Sequence, residues 1–183
     1  MKKEIRICGF GGQGIILAGF IIGKAASVFM DYNAVQYQSY GPEARGGAAR
    51  SEVIISDKKI TYPRVTDVDL LIAMSQDAYD KYGDDVSDKT ITIIDPDLVN
   101  GEKKKGKLFK IRAQHIAEKL GNKIVANIAM IGAATAISGF LDPEAVKKAI
   151  EDTVPERFKD LNLKAFEEGF KAGKDAVRGK LPA

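Results

Sequence analysis

Apolar positions change period several times along the chain, and each change marks an element. Ile5, Ile7 and Cys8 form a short apolar segment closed by Gly9, which predicts a first strand. It runs into Gly9-Phe10-Gly11-Gly12-Gln13-Gly14, and residues 13–29 then stay apolar nearly all round, predicting a helix buried on more than one side. Residues 32–38 suit a second strand, and residues 50–56 with 59–62 suit a hairpin turned at Asp57-Lys58. Residues 69–74 and 90–94 are continuous β-rich runs ended by polar or turn residues, the pattern of strands buried in a parallel sheet. A short helix fits residues 76–82 between them, and residues 107–111 add a further strand.

Beyond residue 112 the periodicity is helical. Helices are expected over residues 113–120 and 127–138, then after Asp142 as N-cap with Pro143 at the first position. Leu163, Phe166, Phe170, Gly173 and Val177 recur at helical spacing in a last amphipathic helix. Strands alternating with helices early, and helices dominating later, predict an α/β fold. The architecture expected is Rossmann-like and doubly wound, with a mostly parallel sheet, a β-hairpin and a helical C-terminal part. A chain of 183 residues is expected to form it as a single domain over residues 1–183.

Composition narrows the chemistry. The 28 basic and 25 acidic residues are spread along the chain, and residues 100–107, with three successive lysines between Gly101 and Gly106, read as a solvated loop. Nothing resembles a continuous basic stripe for nucleic acid. Cys8 is the only cysteine and His115 the only histidine. One thiol excludes a four-thiolate iron–sulfur cluster held by this chain alone, and the pair is too few for a His/Cys zinc site. His115 reads as a solvated helix residue. Residues 124–141 carry no charge, yet Asn127, Thr135, Ser138 and two glycines make them too polar and small-sided for a membrane span. A buried helix is expected there, no membrane association, and a cytoplasmic address.

Two loops carry candidate chemistry. Gly9, Gly11 and Gly14 match G-x-G-x-x-G spacing between a strand and a helix, where glycines permit a tight turn and let a ligand approach N–H groups at a positive helix end. A dinucleotide site would also need an acid near the end of the second strand, and residues 34–40 contain none. That speaks against NAD. The second loop, Gln38-Ser39-Tyr40-Gly41-Pro42-Glu43-Ala44-Arg45-Gly46-Gly47, sets an acid and a guanidinium two residues apart before a glycine pair. Arg45 suits a bidentate clamp on carboxylate or phosphate; Glu43 suits its counter-ion or a proton-transfer group. A surface ion pair beside a bend is the plainer alternative.

The two loops together, with Ala48-Ala49-Arg50-Ser51-Glu52 following, resemble the gamma subunits of 2-oxoacid:ferredoxin oxidoreductases. The likeness extends over residues 69–75, Asp95-Pro96 and residues 127–133. The form Tyr-Gly-Pro-Glu-Ala-Arg-Gly-Gly followed by Arg-Ser-Glu is most similar to the 2-oxoglutarate branch. The resemblance implies a non-autonomous subunit of an enzyme that turns a 2-oxoacid, CoA and oxidised ferredoxin into acyl-CoA, CO2 and reduced ferredoxin. It implies thiamine diphosphate, Mg and iron–sulfur clusters on partner subunits and none bound by this chain alone, with alpha, beta and ferredoxin-like delta subunits as partners. It implies loops facing ligand or partner at Gly9, Gly11, Gly12, Gln13, Gly14, Tyr40, Gly41, Glu43, Arg45, Gly46 and Gly47, of which Glu43 and Arg45 are the catalytic candidates. The alternatives are a gamma subunit for pyruvate or another 2-oxoacid, and a free-standing CoA-, anion- or nicotinamide-binding protein.

Overall fold

The computed structural model describes residues 1–39, 47–102 and 105–180. A six-stranded sheet in the order β2-β3-β1-β4-β5-β6 forms its centre. The strands are β1 (Lys2–Phe10), β2 (Asn33–Ser39), β3 (Ala48–Ser56), β4 (Leu70–Ala73), β5 (Ile91–Ile94) and β6 (Lys107–Lys110). Strands β1, β4, β5 and β6 run parallel, and β3 runs antiparallel to both β1 and β2.

The expected hairpin between residues 50–56 and 59–62 is corrected: the antiparallel pair is β2 with β3. With β1 on its other flank, β3 has no free edge for residues 59–62, which form no strand. Strands β2 to β6 lie within a residue or two of expectation, because apolar runs bounded by polar or turn residues leave little freedom, whereas β1 starts three residues earlier and continues through Gly9 to Phe10, carried by its pairing with β3.

Among the described residues six α-helices flank the sheet: α1 (Ile15–Lys24), α2 (Gln76–Tyr82), α3 (Ala113–Lys119), α4 (Ala126–Ser138), α5 (Pro143–Glu151) and α6 (Lys159–Val177). Helix α1 continues as a π-turn over Ala25–Phe29. Ser75 accepts a hydrogen bond from the Ala78 N–H to start α2, and Asp142 accepts one from Ala145 N–H, 2.8 Å, to start α5, with Pro143 in its first turn.

One face of the sheet, carrying Ile5, Ile7, Val53, Ile55, Leu70, Ile72 and Ile93, packs with α1, α3, α4, α5 and α6 into the main core. Helix α2 covers the other face over Cys8, Leu71, Ala73 and Ile94. Helix α4 is buried along almost its whole length, as its uncharged sequence requires. It lies so close to α6 that a β-carbon at Gly169 would stand 1.9 Å from the Ala129 carbonyl oxygen. Helix α1 departs from expectation. Ile15, Ala18, Ile21 and Ile22 are buried, yet Leu17, Phe20 and Val28 are 39%, 47% and 60% exposed. The sequence predicted burial on more than one side, and these three side chains are left exposed.

Candidate functional site

The glycine loop leaves β1 at the edge of the sheet where the parallel strands end. Gly12 and Gly14 both have positive φ, 96° and 72°, a conformation that side chains beyond glycine resist. Gly9 is held to glycine differently: a β-carbon there would meet Gln13 Oε1 at 2.5 Å. Gln13 folds back over that space. Its Oε1 accepts the Phe10 N–H at 2.7 Å, and its Nε2 donates to the Met74 carbonyl at 2.8 Å. The side chain thus ties the loop to the end of β4 and completes a turn that glycines alone would leave loose. The Gly11 N–H donates to the Gly47 carbonyl at 3.3 Å, so the glycine loop touches the end of the second sequence-marked loop.

Gly14 is the N-cap of α1, and no side chain caps it. The first-turn N–H groups of a helix have no intrahelical acceptor, so α1 presents its positive end beside this loop. Asn127, from α4, donates to the Gly14 carbonyl at 3.1 Å and fixes the turn from the opposite side. Sequence reasoning marked residues 127–133 only through the family likeness. An uncapped helix start and one Asn at the head of an uncharged helix were the signals that could have paired them.

The strand beside β1 is β3, which is antiparallel and begins at this edge. A dinucleotide fold places a parallel strand there, ending in its ribose-binding acid. Here β2, the next parallel strand on that side, is two strands away, so its end at Ser39 is displaced from the glycine loop by about 10 Å. The geometry agrees with the missing carboxylate. Tyr40, Gly41, Glu43, Arg45 and Gly46 lie outside the described residues.

Under the loops, on the α2 face, sits an ion-pair cluster. Arg6 Nε donates to Glu52 Oε1 at 2.8 Å, with both side chains about 95% buried, and Arg6 Nη1 reaches the Tyr82 carbonyl at 3.1 Å and Asp85 at 3.2 Å. Arg50 lies 3.7 Å from Glu52, with its guanidinium 5.0 Å from the centre of the Tyr82 ring. The Tyr82 hydroxyl donates to the Ala48 carbonyl, anchoring the first residue of β3. Cys8, paired with Arg50 across the strands, is fully buried, and burial pushes its thiol up to about 12 despite the two nearby guanidiniums. Burial of this kind is that of a structural cysteine packed in the core. At the end of β5, buried Asp95 accepts N–H bonds from Gln114 at 2.8 Å and Asp97 at 3.0 Å. Burial raises its pKa, partly offset by those donors.

A separate cleft of about 600 Å³ lies beyond β6, between α3 and α6. His115, on α3 as expected, is half-buried and lines this cleft with Lys110, Arg112, Lys119 and Lys171. It shares no residue with the two loops. Among the described residues no group of three or more His, Cys, Asp and Glu could hold a metal ion, and no helix is long and apolar enough to cross a membrane. With one buried thiol in the chain, the donors present do not fit an iron–sulfur cluster.

Residues 4–172 match the family described as pyruvate ferredoxin/flavodoxin oxidoreductase. The chain is 48% identical over 179 residues to the 2-oxoglutarate synthase subunit KorC of Methanocaldococcus jannaschii, covering 96% of each chain. It is 33% identical over 184 residues to the ketoisovalerate oxidoreductase subunit VorA of Methanothermobacter thermautotrophicus, covering 98% of this chain but 38% of that protein. Among solved structures, the gamma subunit of a keto/oxoacid ferredoxin oxidoreductase from Geobacter sulfurreducens superimposes with a TM-score of 0.88 at 42% identity, covering 96% of this chain and 98% of that one.

Proposed function

The chain belongs to the pyruvate ferredoxin/flavodoxin oxidoreductase family, and from that premise we propose that it is the gamma subunit of a 2-oxoglutarate:ferredoxin oxidoreductase. The assembled enzyme oxidatively decarboxylates 2-oxoglutarate, joins the acyl group to CoA, releases CO2 and passes the electrons to ferredoxin. The observation that carries the choice of substrate is the 48% identity to a 2-oxoglutarate synthase subunit along nearly all of both chains, against 33% for the ketoisovalerate subunit.

The chain's own chemistry makes it a dependent subunit. Its single thiol is buried and one thiol is too few for a cluster, so electron-transfer clusters are assigned to a ferredoxin-like delta subunit. Thiamine diphosphate with its Mg ion belongs on alpha and beta subunits. What this chain brings is a backbone edge: the glycine loop held by Gln13 and Asn127, the positive end of α1, and Gly47, whose carbonyl accepts the Gly11 N–H. Exposed N–H groups and Arg45 suit an anion or a partner's carboxylate near the assembled active site. Ferredoxin as acceptor sets the cytoplasm as the address.

The test is to purify the native complex through a tag on this chain and assay viologen or ferredoxin reduction with CoA and several 2-oxoacids. The highest kcat/KM is expected with 2-oxoglutarate, and none of this activity from the isolated chain. A preference for pyruvate or 3-methyl-2-oxobutanoate would overturn the substrate assignment, and turnover by the chain alone would overturn the subunit reading. Within the complex, Arg45→Ala is expected to cost about 2–5 kcal/mol in assembly or turnover if its guanidinium pairs across a junction. In the lone chain the same change is expected to move stability by less than about 1 kcal/mol. A complex that assembles and turns over like the parent would make Arg45 an ordinary surface residue.

A further inference from the structure

The cleft of about 600 Å³ beyond β6 has an apolar floor between charged walls. Ile116 and Leu120, four residues apart, line it from α3 and its end, and Ala172 and Ala176, again four apart, line it from α6. All four are only half-buried, so apolar surface is left facing the opening. The two sides of α6 differ in what they do with small residues. Gly169 and Gly173 let it press against the backbone of α4, while the two alanines leave the space towards α3 unfilled. A concavity of this size falls in the range of about 300–1,000 Å³ that small-molecule sites occupy.

The charge on the walls does not balance. Arg112 pairs with Asp97 at 2.9 Å and Lys180 with Asp175 at 3.2 Å. Lys110, Lys119 and Lys171 have no ion pair among the described residues, and Glu168 is the one acid on the walls left without a partner. Lysines are ordinary on a solvated helix face, and they guard edge strands such as β6. Neither role explains why three unpaired ammonium groups reach one apolar cleft from three different elements, β6, α3 and α6. We propose that this cleft binds a small phosphorylated molecule with an apolar, planar body, and that a nucleoside diphosphate is the class that fits. The base lies on Ile116, Leu120 and the two alanines beside His115, the only ring in the lining, and the phosphates face the three lysines. Free lysines favour phosphate over a planar carboxylate, since ammonium groups on long stems surround a tetrahedral anion as point charges, and the guanidinium fork of Arg112 is already taken by Asp97. Strand β6 is three strands from β1, roughly 14 Å across the sheet, so a ligand of this size leaves the glycine loop free. The inference is independent of which 2-oxoacid the assembled enzyme uses.

The experiment uses the full chain and its one histidine. Purified through a tag that contains no histidine, the protein gives a single set of imidazole proton signals by NMR, and a ligand in the cleft moves them. ADP, GDP and UDP are the probes, with adenosine and inorganic pyrophosphate as the separate halves of the first. At least one nucleoside diphosphate is expected to shift the His115 signals saturably, and each half to bind at least about 10-fold more weakly than the whole. Lys119→Glu/Lys171→Glu is expected to weaken that binding by about 10-fold or more, whereas Lys148→Glu, an exposed lysine on α5, leaves it unchanged. Ala172→Leu/Ala176→Leu adds apolar volume to the floor without changing charge, and is expected to abolish the ligand-induced shift. Should the leucine variant fail to fold, the lysine variants and the His115 signals still decide. Pyrophosphate binding as tightly as the nucleotide would reduce the cleft to a diffuse attraction for anions and overturn the proposal. So would calorimetric binding that leaves the His115 signals in place, or no saturable binding of any of the three nucleotides at millimolar concentration.

Discussion

The two faces of the sheet are built on different physics. The face under α1, α4 and α6 is a close-packed apolar core, and its precision lies in shape: glycines let α4 and α6 approach until backbone meets backbone. The face under α2 carries Glu4, Arg6 and Cys8 of β1 and Glu52 of β3, and its precision lies in charge pairing. The first face tolerates no added volume, and the second tolerates no missing partner. A protein that must hold loops at a shared edge gains from both. Packing sets where α1 begins, and the ion pairs set where β3 begins relative to β1.

The sharpest way to break this contrast is Glu52→Ala. It removes the buried carboxylate shared by Arg6 and Arg50, leaving Arg6 only the exposed Asp85 and the Tyr82 carbonyl, and is expected to cost about 3–5 kcal/mol, measured by urea unfolding. Replacing the pair together, Arg6→Met with Glu52→Leu, is expected to recover much of that loss, because an apolar pair needs no counter-charge. If the single and double variants are equally unstable, pairing is not what this face depends on.

On the other face, Gly169→Ala forces a β-carbon against the Ala129 carbonyl and is expected to cost about 1–3 kcal/mol through overpacking, read as a lower melting temperature. Gly179→Ala would not report on packing, since no atom lies within 4 Å of a β-carbon there and its positive φ adds backbone strain. An unchanged melting temperature for Gly169→Ala would show that the helices separate freely.

The smallest effect distinguishes the faces by pH. Glu4 is buried, which by itself raises its pKa, but the N–H groups of Asp67 and Thr66 together with Lys2 outweigh burial and hold it below the ordinary 4.5. A depressed folded pKa means that its stabilisation is full above the unfolded value and is lost as pH falls through the lower folded one. Glu4→Gln is therefore expected to cost about 1 kcal/mol at pH 7 and progressively less as the pH drops below 4. A cost independent of pH would assign the effect to shape instead of charge.

Much of the molecule was written in local pattern. The Ile/Leu runs of β4 and β5, the Asp142-Pro143 start of α5 and the uncharged stretch of α4 each determine their element through burial, capping chemistry or helical period, without knowledge of neighbours. The glycine loop could be marked as special for the same reason, since positive φ at Gly12 and Gly14 is a property of the backbone. Partnership was different. That β3 pairs with β1 rather than with residues 59–62, that Gln13 reaches Met74, and that Asn127 closes on Gly14 from 113 residues away depend on which surfaces meet once the sheet has formed. A sequence states how much apolar surface a helix carries, but only the packed fold shows how much of it the chain itself can cover. For α1 the sequence pointed to burial on more than one side, and the tertiary structure leaves Leu17, Phe20 and Val28 exposed because no other element of the described fold packs over them.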